Sequence, residues 1–447
     1  MLRKVINGNN ITNYEYDDFN RVINDGTNVY KYNNLGNVYE IHHENDIIKE
    51  SKIIQEDLIN NKWNYNINNH NLEIVEKNNF KGQNLGYKIN NLNLEFDCTY
   101  AYDNNEKFYK VMYNSGEYYS MLFSSYNYIY RELSTDGQQD YEYNDRKELI
   151  KYIDNDTYIS QYAYDDNGNI ISKEKRLKAD NSIIESKNYL YTNNKLVSYD
   201  NKIITYDKNG NIKSYDQNEY SYSSINKLVK VDKKSTNRIG ILPLTVDNTT
   251  FTYDEKGLRT SKIYLKMNGY YIDKTEYSYK YIGNKLYEES RHIYFKNVKN
   301  DSTHPYYPEA DTIDVYKYIY KGEELVGYCV NNENYYYYQK NVFGDIIGIY
   351  DSNKQVVAKY KYDPYGVCSI TYDRYGAGNN NPFRYRGYYY DIETQLYWVS
   401  SRYYSPELCR WISPDSIEYL DPESINGLNL YAYCGNDPVN KYDPTGH

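Results

Sequence analysis

An aromatic-x-Tyr-Asp/Asn unit recurs along this chain and restricts it to one kind of architecture. It reads "YEYDDFNRVI" at 14–23, "YKYNNLGNVY" at 30–39, "YEYNDRKELI" at 141–150 and "YAYDDNGNII" at 162–171. It returns as "ITYDKNGNIK" at 204–213, "YSYSSINKLV" at 220–229, "FTYDEKGLRT" at 251–260 and "YKYDPYGVCS" at 360–369. The central tyrosine falls at 16 and 32, and again at 191, 206 and 222, so the tighter repeats run 15 or 16 residues. Alternating Tyr-x-Tyr puts both rings on one face of a strand. The Asp or Asn and a following Asn-Gly supply the positive φ values of a tight hairpin turn. One unit is then two short antiparallel strands with a turn at each end.

At the usual spacing of strand and turn, such a chain holds roughly 35–55 strands. That many cannot remain in an open flat sheet, because twist accumulates and free edges aggregate. The sheet must curl, close or spiral. The uneven spacing of the units, 15 to 31 residues, speaks against a propeller, whose blades repeat at about 40–45 residues. A low mean hydropathy would ordinarily suggest disorder, but 65 tyrosines are foreign to a disordered chain. Tyrosine suits a pleated, half-buried surface, and its hydroxyl needs a partner when buried. We therefore expect tyrosine ladders on a broad curved sheet with a wet or occupied interior, in place of a compact aliphatic core. Helix signals are nearly absent, and "KKSTNRIGILPLTVDNTT" (233–250) reads as a loop or insertion.

Charge and motifs exclude several functions. With 62 acidic against 52 basic residues, the net charge of −10 leaves no basic stripe for nucleic acid. The start, "MLRKVINGNNITNYEYDD", lacks the apolar segment of a signal peptide, and no apolar run approaches the length of a membrane span. Cys98, Cys329, Cys368, Cys409 and Cys434 are too scattered for a zinc site or a disulfide framework and read as buried or half-buried thiols. His42, His43, His70, His292, His304 and His447 are equally dispersed, and neither a G-x-S-x-G elbow nor a metal triad is present. A hydrolase acting on external substrates is therefore disfavoured, and no cofactor or metal is expected.

The stretches "YAYDDNGNIISK" and "ITYDKNGNIKSYD" resemble the YD repeats of the RHS/YD-repeat family, which includes teneurins and the C components of Tc toxins. The repeats cover most of 1–375 and are degenerate between about 40 and 135. The end of the chain, from "NPFRYRGYYYDIETQLYWVSSRYYSPELCRWISPDS" to "NLYAYCGNDPVNKYDPTG", resembles the RHS-repeat-associated core nearly throughout. The resemblance implies an all-β fold: a spiralling antiparallel strip of YD repeats forming a hollow shell, partial in this chain, plugged by an inward-curling core. We expect two domains, a YD-repeat shell (1–375) and the core (376–447).

In toxin members of this family a variable C-terminal effector follows the core, is held in the shell, and is cut free by intramolecular aspartyl autoproteolysis after Asp-Pro-x-Gly. The family's pattern of an Arg, an Asp thirteen residues later and the Asp of Asp-Pro-x-Gly falls on Arg402, Asp415 and Asp443, with the cleavage region at Pro444, Thr445, Gly446 and His447. The chemistry is reasonable. Two carboxylates sharing a site split their pKa values, so one serves as base and the other as acid. A bidentate Arg can orient them, and cutting in cis supplies a high effective concentration of the bond. Three features depart from the family pattern: Cys409 and Gln395 replace glycines, the stretch between Asp415 and Asn429 is longer, and His447 stands where Leu or Met is usual. Asp363, Asp421 and Asp437, each before a proline, read as turn residues.

Two functions remain. One is a toxin-encapsulating shell with a single-turnover self-cleaving core, used between bacteria or against host cells. Its partners would be an effector in cis and a delivery or N-terminal shell component. The other is a wall-associated or cell-surface display module binding glycan or protein, in which the aspartates are structural. Either places the protein outside the cell or on its surface, as part of a larger protein or toxin complex. The chain is expected to be a segment of that larger protein.

Overall fold

The aspartate of each repeat builds its own turn. Asp207 Oδ1 accepts the backbone N–H groups of Asn209 and Asn211, both at 2.9 Å. The Gly210 N–H donates back to the Asp207 carbonyl at 3.2 Å, and Gly210 takes φ +87°. The same pair of side-chain bonds, to the second and fourth residues on, recurs at Asp17, Asn33, Asp103, Asp165, Asp351 and Asp363. Each of these turns needs one left-handed residue. The two-residue turn with both φ values positive lies elsewhere, at Asn68-Asn69, Asn193-Asn194 and Asp200-Asn201. These link the pairs Ile67–His70, Thr192–Lys195 and Tyr199–Lys202. The sequence signal for positive φ thus covers two different turns.

The repeat tyrosine has a task that phenylalanine could not perform. Its hydroxyl donates to a backbone carbonyl earlier in the strip: Tyr164 to Leu149 (2.6 Å), Tyr206 to Leu196 (3.0 Å), Tyr253 to Leu228 (2.7 Å) and Tyr362 to Ile346 (2.6 Å). The ladder slips by one residue at Tyr164, Tyr206 and Tyr253. Such bulges increase local twist. The repeats at Tyr164, Tyr206 and Tyr253 therefore both bend the strip and tie themselves to an earlier strand.

The computed structural model describes all residues except 1–3, 8–9, 56–57, 92–93, 156, 234–237, 240–241, 244–245, 268–270, 298–308 and 420–426. Among the described residues the fold is nearly all β, with 32 strands in one long antiparallel sheet. A separate four-stranded sheet is formed by Tyr389–Asp391, Leu396–Val399, Arg402–Ser405 and Arg410–Trp411. Among the described residues the one α-helical turn is Ala377–Asn380. The expected loop at 233–250 lies partly outside the described residues; its end is strand, since Val246–Tyr253 pairs with Arg259–Met267. His304 and Asp421 also lie outside them. The five cysteines are free, three buried and two half-buried.

The chain divides into two units. One comprises 1–118, 317–337 and 350–355, and the other 119–316, 338–349 and 356–447. Within the first, Lys321 Nζ pairs with Glu76 (2.6 Å), Tyr65 donates to the Tyr320 carbonyl (2.7 Å), and Phe96 stacks on Tyr337. Within the second, side chains of the terminal segment bind carbonyls of the repeat turns. Tyr431 donates to Gly210 (2.8 Å), Asn436 to Gly168 (2.6 Å), Tyr397 to Gly366 (3.0 Å) and Tyr404 to Tyr365 (2.7 Å). A buried ion cluster adds to these bonds. Arg259 Nη1 meets Asp391 Oδ2 at 2.6 Å, and Lys262 Nζ meets Asp391 and Glu393 at 3.0 Å each. The Arg259 guanidinium lies 4.4 Å from the Trp398 ring and 4.5 Å from that of Tyr389. Burial works against the charge on Lys262, yet the carboxylates of Glu393 and Asp391 outweigh it and hold the amine well above its ordinary pKa.

Candidate functional site

Arg402 begins the third strand of the small sheet, paired to Val399 across the Ser400-Ser401 turn. It is buried, and Trp411 lies 4.2 Å beneath its guanidinium. Stacking on an aromatic face fixes the plane of the fork and leaves its N–H groups aimed at the edge. Arg402 Nη2 donates to Asp415 Oδ2 at 2.6 Å and lies 3.9 Å from Asp443 Oδ2. Its Nη1 donates to the Leu430 carbonyl at 3.2 Å, and its Nε to the Gly446 carbonyl.

The two carboxylates thus meet through a guanidinium. Asp415 is fixed by its own backbone N–H on the Leu430 carbonyl (3.0 Å) and by the Ser416 N–H on its Oδ1 (2.8 Å). Asp443 Oδ1 gathers three backbone N–H groups, from Thr445 (3.1 Å), Gly446 (2.7 Å) and His447 (3.2 Å). The Tyr388 hydroxyl donates to the Asp443 carbonyl (2.6 Å) and accepts the Asp443 N–H (3.1 Å). His447 Nδ1 stands 3.2 Å from Asp415 Oδ1. A pocket of about 400 Å³ opens over Asp415, Asp443, Leu430 and His447. Any cation entering it would meet the charge of Arg402 between the carboxylates.

Arg402, Asp415 and Asp443, and the segment Pro444–His447, therefore come together. The longer stretch after Asp415 does not separate the two aspartates, although 420–426 lie outside the described residues. Asp363 caps its turn and also pairs with Lys173 Nζ at 2.8 Å, whereas Asp437 binds Asn440 through the backbone N–H (3.2 Å) and side-chain amide (2.8 Å). Sequence reasoning missed Ser401, Tyr388 and Trp411 as neighbours of the site. All three lie within the stretch quoted for the family resemblance, which does not tell whether a side chain faces the site.

A family model described as Teneurin YD-shell matches residues 181–439. The chain belongs to the teneurin YD-shell family. Its relatives include the tRNA3(Ser)-specific nuclease WapA of Bacillus spizizenii, 30% identical over 68% of this chain and 12% of that protein. Teneurin-1 of Mus musculus is 25% identical over 66% of this chain and 11% of its own length. Among solved structures, TcdB2-TccC3-TEV superposes with a TM-score of 0.66 at 15% identity, over 98% of this chain and 26% of that one. This YD-shell chain thus shares the fold of that toxin component and spans about an eighth of the length of the WapA relative.

Proposed function

We propose that this YD-shell chain is the shell and core segment of a bacterial RHS-type toxin, exported from the cell and used in competition between bacteria. It holds an effector that follows the core, and frees it by one intramolecular cut in the segment Pro444–His447. The repeat shell (1–375) and the core (376–447) are its two functional parts. Arg402 bridging Asp415 and Asp443, while also binding the Gly446 carbonyl, is the observation that carries this reading. One carboxylate takes a proton from water as the oxygen adds to the peptide carbonyl carbon. The other carboxyl gives a proton to the nitrogen as the C–N bond breaks. Arg402 draws charge from the carbonyl it holds. Water is the one co-substrate and the bond to be cut is already in the site, so one slow turnover per chain is sufficient.

The similarity to Teneurin-1 supports a second reading, a surface display module. Tyr126 and Tyr375 are 87% and 85% exposed and suit contacts with glycan or protein. In that case the guanidinium-bridged aspartates only brace the core.

A reporter domain fused after His447 through a short extension separates the two. The shell reading expects the fusion to split on a denaturing gel, with mass spectrometry placing the cut between Pro444 and the extension. Asp415→Asn, Asp443→Asn and Arg402→Ala should leave the fusion whole. A folded parent that stays intact would favour display.

A further inference from the structure

The Asp-Pro-Thr-Gly segment is held by its backbone. The turn opposite it, Ser400-Ser401, is itself pinned: Lys227 Nζ reaches the carbonyls of Ser400 (3.5 Å) and Ser401 (3.3 Å), and Trp398 Nε1 donates to Ser400 (3.0 Å). From this turn the Ser401 N–H points at the Thr445 carbonyl (3.3 Å), and its hydroxyl lies within reach of the carbonyls of Thr445 (2.9 Å) and Gly446 (2.6 Å). A hydroxyl carries one proton and donates to one of them at a time. With Arg402 Nε on the Gly446 carbonyl, two consecutive carbonyls are held by three donors from two adjacent residues.

The approach is so close that only glycine fits at 446. A Cβ there would stand 2.2 Å from the Val399 carbonyl oxygen and 2.6 Å from Ser401 Oγ, at a φ of +81°. Pro444 and Thr445 are exposed, whereas Asp443 and Gly446 are buried. The contacts thus read the first and fourth positions of the segment and leave the two between them to solvent.

We propose that Ser401 is the positioning residue that seats the Asp-Pro-Thr-Gly segment in the site, holding the chain by its carbonyls where the Val399 carbonyl leaves room only for glycine at 446. Its role in cleavage rests on the autoproteolysis reading; its role as anchor does not. Misplacing a reacting bond by about 1 Å costs up to ~100-fold in rate. Losing one such hydrogen bond costs roughly tenfold.

The test uses the full chain with the reporter after His447. Ser401→Ala is expected to slow release about 10- to 100-fold. The pH dependence of release, a property of the carboxylates, should stay where it is in the parent, and Ser401→Thr, which keeps the hydroxyl, should recover most of the rate. A release rate for Ser401→Ala within twofold of the parent overturns the proposal, as does a displaced pH profile. Hydrogen exchange in the uncut Asp415→Asn background gives the second arm. Ser401→Ala should hasten exchange of the 445–447 amides at least tenfold while 396–399 keep their protection, and Gly446→Ala, whose added methyl overlaps the Val399 carbonyl and forces the segment and the turn apart, should hasten exchange of 445–447 as well. Unchanged exchange in both variants removes Ser401 as the anchor. A parent that never releases the reporter defeats the cleavage reading alone, and the exchange arm then decides the anchoring role by itself.

Discussion

Both substituted glycines of the core sit where glycine would be comfortable. Gln395 has φ +60° and Cys409 φ +56°, a region that costs most L-residues about 1–2 kcal/mol. Glycine, which the family resemblance led us to expect at both places, would adopt this backbone without strain, and this chain keeps the conformation at some cost. Gln395 is exposed, so Gln395→Gly loses no packing. We expect it to raise stability by roughly 0.5 kcal/mol, the relief being offset in part by the freer unfolded chain; the urea midpoint measures this. Cys409 is different. Its thiol is fully buried, and burial pushes its pKa up to about 12. Glycine there would exchange strain for a void, and the thiol is too poor a thiolate to act as nucleophile.

At the scale of the element, the repeat is a turn and a bulge joined by one tyrosine. Tyr206→Phe keeps the ring but leaves the Leu196 carbonyl without this donor; we expect a loss of about 1 kcal/mol, read by denaturant unfolding. Asp207→Ala removes the acceptor for the Asn209 and Asn211 amides. Faster hydrogen exchange confined to 207–211 should follow, whereas Asp207→Asn, which retains an acceptor, should change little. The ion cluster behaves in another way. Arg259 and Asp391 are both fully buried, and removing one partner of a buried pair costs about 3–5 kcal/mol because the other charge is stranded. Asp391→Leu should therefore destabilise far more than the Arg259→Met/Asp391→Leu double variant, in a thermal-unfolding comparison. These charges hold the small sheet to the repeat strand Arg259–Met267, where an apolar contact would do so with less specificity.

At the scale of the whole molecule, one buried acid sets a pH dependence. Glu132 is buried in the strand Ile129–Ser134; burial first, and then the charge of Asp345, raise its pKa to about 8 from an ordinary 4.5, against the opposing pull of Arg386. Between those values the folded protein holds a proton that the unfolded chain releases. Its contribution is thus favourable at low pH and is lost as pH rises from 4.5 to 8. Glu132→Gln should flatten the fall in stability across that window, and unfolding at pH 5 and pH 8 checks it. What the sequence by itself determined was the all-β repeat strip, since Tyr-x-Tyr-Asp spacing is a local signal with a local cause, alternation of faces followed by a turn. Arg402, Asp415 and Asp443 were singled out in another way, by the resemblance to a family's spaced motif, which names residues without a local physical cause. Only the tertiary structure decided the rest. That the aspartates meet through a guanidinium, that Ser401 grips the segment and that Arg259 seeks Asp391 depend on contacts between residues many positions apart. Such contacts are set by how the strip's bulges and turns accumulate. A single sequence records the bend at each repeat but not their sum.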